Sequence, residues 1–143
     1  MGSPEAREHF TNACRHIEMA EILQSHDFPE GTVFHCIHAV EALCCSVVRE
    51  AGDKPPTDHK KIPDAALRGL EKLGRPLNDD VNLRLSGLTG SIKSSNLRNA
   101  ALYVESRGLE ARLPCHRPDI VDTSQKMLPD VCNLRNSIRA LLD

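Results

Sequence analysis

Tryptophan is absent from this chain of 143 residues, and only one tyrosine and three phenylalanines occur. That scarcity excludes a core built on aromatic packing. A core drawn from Leu, Ile, Val and Ala favours helix against helix over a β-sandwich, where aromatic and β-branched residues dominate. No stretch alternates at period two for long enough to be a strand, and no internal repeat is present. The chain also lacks a Ser-His-Asp arrangement, a G-x-x-x-x-G-K-[ST] loop and an H-E-x-x-H motif. No C-x-x-C pair occurs among the six cysteines, Cys14, Cys36, Cys44, Cys45, Cys115 and Cys132. Adjacent Cys44 and Cys45 would point about 100° apart on a helix, a poor disulfide arrangement. They read as small buried thiols of a reducing compartment. No apolar run approaches the roughly 18 residues of a membrane span, and no charged-then-apolar leader opens the chain. A cytoplasmic protein with no membrane partner is expected.

What is present suits one domain over residues 1–143: 40% apolar residues, 27% charged, and a net charge of −2. The charge is unevenly placed. Residues 1–30 carry a net of −4, whereas residues 84–117, with Arg84, Lys93, Arg98, Arg107, Arg112 and Arg117 against Glu105 and Glu110, carry +4. A basic segment in an acidic protein suggests an anionic partner there.

Apolar spacing of three and four predicts a helix over 4–25, through Ala6, Phe10, Ala13, Ile17, Ala20 and Leu23. A second helix, from Pro29 or Thr32 to Glu50, is apolar over most of its circumference and belongs at the centre of a bundle. A third covers about 58–73, capped by Thr57 or Asp58 and closed by Gly74. Pro76 to Leu88 gives a fourth, which "SGLTGSIKSSN" at 86–96 interrupts. A new helix follows through Leu97, Ala100, Ala101 and Val104. Residues 106–118 read as a loop or short turn, and the last helix runs over 119–142 with a possible kink at Pro129. The fold class is all-α, an antiparallel up-and-down bundle of four to five helices.

Within "SSNLRNAALYVESR", residues 94–107, an Arg-Asn pair opens an apolar helical run. Together with "FHCIHAVEALCCSVVREAG" in the second helix and "DHKKI" at 58–62, "RNAALY" at 98–103 resembles the HEPN domains, small prokaryotic helical bundles. The resemblance covers about residues 4–142. It implies metal-independent RNA cleavage by two facing protomers, or, in members without the chemistry, RNA or nucleotide binding beside a nucleotidyltransferase. Ribonuclease members place a His beyond the Arg after four to six intervening residues. Here those positions hold Tyr103, Val104 and Glu105, so the Arg-Asn pair looks like half of a site.

The candidate phosphate- or nucleic-acid-binding residues are therefore Arg98, Asn99, Lys93 and Arg107, with Arg98, Asn99 and Tyr103 in any catalytic role. Arg suits the charge gathering on phosphorus, and a base near neutral pH would normally be His. Glu41, in the middle of the apolar second helix, can hold the Arg98 guanidinium, supported by His38. His35, His38 and Glu41 share a weak metal-ligand spacing, but packing is the plainer reading, and neither a metal nor a cofactor is expected. His35 or His38 can stand in for the absent base, whereas His59 reads as part of the third helix's first turn. Cys115-His116 reads as an incidental loop pair. Three functions remain open: an RNA- or nucleotide-binding module acting as a homodimer, a metal-independent ribonuclease of toxin or defence type with an unusual base, and a non-catalytic partner of a nucleotidyltransferase.

Overall fold

The computed structural model describes residues 2–74, 78–93, 105–107, 110–112 and 117–143. It is an all-α helical bundle, with five α-helices among the described residues. Helix α1, Pro4–Ser25, starts where the Ser3 hydroxyl accepts the Ala6 N–H at 3.2 Å and Pro4 pre-sets the first turn. Ala6, Ala13, Ile17 and Ala20 form its buried stripe. Asp27, at φ 59°, turns the chain in the left-handed region, which Asp tolerates better than most residues.

Helix α2, Pro29–Glu50, is the centre. Its buried residues include Val33, Cys36, Ile37, Val40, Leu43, Cys44, Val47 and Val48, and they occupy nearly every side of the helix. It packs against α1 along its length and against α3 and α5 on its other sides. One expectation changes here. An 18-residue window of α2 reaches a mean hydropathy of 1.5, so by length and composition this helix is apolar enough to cross a membrane, although 72% of that window is buried in the bundle. Individual His and Glu residues break up the apolar run to the eye without lowering its average below that mark.

Gly52, at φ 84°, lets the chain leave α2, and Pro55 and Pro56 keep it extended. The expected third helix divides in two. A short 3-10 turn, His59–Lys61, is capped by the Asp58 carboxylate, which accepts the Lys60 N–H at 3.0 Å. Helix α3, Ile62–Leu73, then begins with Pro63 in its first turn and ends on Gly74 at φ 58°.

Helix α4, Asn78–Lys93, runs on through Ser86, Gly87 and Gly90, where the sequence predicts an interruption. A glycine inside a helix costs only about 1 kcal/mol, and the stripe of Val81, Leu85 and Leu88, all buried, outweighs it. The helix expected through Leu97 to Val104 lies outside the described residues. Residues 105–107 (β1) and 110–112 (β2), expected as loop or turn, pair as short antiparallel strands with Glu105 opposite Arg112. Helix α5, Pro118–Leu142, continues across Pro129. Proline removes one backbone hydrogen bond there, but Ile120, Met127, Val131, Leu134, Ile138 and Leu141 keep one continuous buried face. Helix α4 packs on α3 and α5, closing the bundle.

Free thiols are carried by Cys14, Cys36, Cys44, Cys45 and Cys132, while Cys115 lies outside the described residues. Burial pushes the Cys36 thiol up to about 12 and Cys45 to about 11, and it raises Cys44 further. Thiolate is the reactive form, so these groups are inert in the fold. Iodoacetamide at pH 7.5 is expected to leave Cys36, Cys44 and Cys45 unlabelled in the native protein and to label them in guanidinium, read by peptide mass. Gly87 offers a second check, because a Cβ there meets nothing within 4 Å. Gly87→Ala is expected to raise stability by about 0.5–1 kcal/mol in urea unfolding, and a loss would mean the helix is not regular at that point.

Candidate functional site

Burying a carboxylate is costly unless it is hydrogen-bonded or paired. Glu41 lies midway along α2 with 7% of its surface exposed. Its Oε2 is 3.0 Å from Nδ1 of His59 and 4.0 Å from Nδ1 of His38. His38 is three residues back on the same helix, a spacing that puts both side chains on one face. His59 arrives from the 3-10 turn, 18 residues on. The extended Lys54-Pro55-Pro56 segment carries the chain there from the end of α2, and the Asp58 cap fixes the turn. A carboxylate accepts hydrogen bonds, so the close nitrogen of His59 is the donor. Lys60 and Lys61 are exposed beside it.

A second group adjoins this one. Nδ1 of His16, on α1, lies 3.0 Å from Nδ1 of His35 on α2. One of the two must donate and the other accept, so the pair shares a single proton along that contact. The His16 ring also stacks on His38 with centroids 5.3 Å apart, and Phe34 stands edge-on to His35 and His38 at 5.3 and 4.5 Å. His38 thus joins the carboxylate to the imidazole cluster. Burial pulls the His16 and His35 values below the ordinary 6.5; His16 further opposes protonation of His35, while Glu41 partly restores His16.

The supporting pair expected from sequence, Glu41 and His38, is therefore brought together. His35, expected on the same face, instead turns its Nδ1 to His16. No three His, Cys, Asp or Glu side chains among the described residues converge as a metal-ligand set. Arg98, Asn99 and Tyr103 lie outside the described residues, as do Cys115 and His116. Lys93 ends α4 and Arg107 ends β1, with side chains outside the described part. Sequence reading missed two partners. The sequence places His59 in a helix turn, yet its Nδ1 lies 3.0 Å from Glu41 Oε2, and no spacing in the sequence points to His16. The usable signal was Glu41 itself, since a lone carboxylate in an apolar helix must be met by donors from elsewhere. The chain matches no family model, no curated protein and no solved structure.

The His16–His35 pair has a direct consequence for stability. Both rings bind a proton less readily folded than unfolded, so below about pH 6.5 the unfolded chain takes up more protons and stability falls with acidification. His9, also lowered by burial and by Arg49, adds to the same slope. The thermal midpoint is expected to drop from pH 7 to pH 5, and to drop less in the His16→Gln, His35→Gln double variant. Equal drops in both proteins would remove the pair from the account.

Proposed function

We propose that this chain is a helical domain of the HEPN type that binds RNA or a nucleotide as a homodimer, with Arg98 and Asn99 as the principal phosphate contacts. Lys93 and Arg107 supply further positive charge. The observation that supports this reading most is Glu41. A carboxylate held at the centre of the core helix costs stability, and two imidazoles meet it, His59 at 3.0 Å and His38 at 4.0 Å, with Lys60 and Lys61 exposed on the turn that carries His59. A buried carboxylate paired with imidazoles can hold donors in place for an anion that comes from outside. The +4 segment at 84–117 gives that anion a reason to approach.

Phosphate binding through Arg98 predicts a specific loss. Arg98→Ala is expected to weaken binding of a labelled single-stranded RNA, in EDTA, by tenfold or more, which is about 1.4 kcal/mol. Binding is also expected to weaken steeply as salt rises. With one Tyr and no Trp, the protein absorbs so little at 280 nm that co-purifying nucleotide would dominate its spectrum. Unchanged affinity in Arg98→Ala would make that side chain structural. No binding by wild type to RNA or nucleotides would favour the partner of a nucleotidyltransferase instead.

A further inference from the structure

We propose that His16 and His35 supply the two protein ligands of a binding site for a late first-row divalent cation of the Cu2+ or Ni2+ class. The site goes beyond the RNA reading and depends on neither Arg98 nor the segment around it. The two rings come from different helices, α1 and α2, and stand 19 residues apart in the chain, which is why the sequence predicts no metal here. Their Nδ1 atoms nevertheless face each other at 3.0 Å. Without an ion, one ring must be held as the Nδ1–H tautomer and the other as Nε2–H. An ion between them takes the same lone pair from both.

The separation selects the ion. With metal–nitrogen bonds of about 2.05 Å, nitrogens 3.0 Å apart subtend about 95° at the metal, whereas a tetrahedral ion would hold them about 3.3 Å apart. A near-right angle belongs to the square-planar and tetragonal centres of Cu2+ and Ni2+, which also bind imidazole strongly. No third His, Cys, Asp or Glu among the described residues completes a ligand set, so water takes the remaining positions.

The surroundings favour a cation. Phe34 stands edge-on to His35 and the His38 ring stacks on His16, both at 5.3 Å between centroids, so the ligand rings are held before the ion arrives. The Glu41 carboxylate acts on His16 through space, and residues 1–30 carry a net charge of −4. Both ligand rings are partly exposed, which leaves a hydrated ion a way in. Burial holds both below the ordinary 6.5, so at pH 7.5 no proton has to be expelled from the site. One ring moves its proton from Nδ1 to Nε2 through solvent, two metal–nitrogen bonds form, and two waters leave the ion.

The test uses the full chain at pH 7.5 with Ni2+ alone as the probe, because Cu2+ oxidises free thiols. Calorimetry is expected to show one Ni2+ per chain and no net proton release between buffers of different ionisation heat; a thiol site would release protons. His16→Gln and His35→Gln, each checked for folding by circular dichroism, are expected to weaken binding at least about tenfold. His26→Gln, exposed at the end of α1, is expected to leave it unchanged. In the wild type, which needs no variant to fold, substoichiometric Ni2+ is expected to broaden the ring-proton NMR signals of His16 and His35 ahead of His26. Absence of binding, unchanged affinity in both ligand variants, or proton release overturns the site. Broadening spread evenly over all seven histidines overturns it too, as an adventitious ion only.

Discussion

The placement of Glu41 in α2 constrains more of this molecule than any other single choice of residue. Most of the buried residues of the helix are satisfied by apolar contact, which is non-directional and can be met by many side chains. A carboxylate is different, because it needs donors at defined positions. Meeting that need fixes the facing of His38 on α2 and draws the 3-10 turn against the helix through His59. The position of α3 follows, since it begins immediately after that turn. One polar residue in the core thus sets the path of the chain between its second and third helices.

The imidazole cluster depends on the same placement. His38 borders both Glu41 and the stacked ring of His16, and His16 in turn meets His35. Neutral rings can pack in this way, whereas two cations at 3.0 Å would repel. The negative carboxylate nearby moderates this for His16 but does not reverse the effect of burial. The contact between α1 and α2 is therefore partly made of groups that burial keeps neutral more readily than free imidazoles and that gain charge on acidification.

Much of the architecture was legible in the sequence because it rests on local periodicity. The stripe from Ala6 to Ala20, the nearly all-round apolar character of α2 and the Gly74 cap each sit in one contiguous segment, and each appears in the structure. The Gly and Ser residues from 86 onward argue locally for an early end to helix α4, while the burial of Val81, Leu85 and Leu88 against neighbouring helices is invisible to a local window. The pairing of Glu105 with Arg112 failed to show for the opposite reason, since three-residue strands are too short to display alternation. The site was legible only in half. Glu41 announced itself as an exception within an apolar helix, but nothing in the spacing of residues 18 apart indicates that His59 meets it. That contact is set by the chain's route across α2, and the route is a property of the whole fold.

The hydropathy of α2 bears on how the protein is made. A helix that apolar, emerging alone from a ribosome, is a candidate for misdirected contact with other apolar surfaces. Here α1 precedes it by a three-residue turn, so the partner that covers one of its sides is already present when it appears. Closing that hairpin is a short-range event with little loop entropy to overcome. The opposite side waits for α5, which begins at Pro118, well after α2 has ended at Glu50. Between those moments the nascent chain carries a helix covered on one flank and open on another, and synthesis speed sets how long that interval lasts.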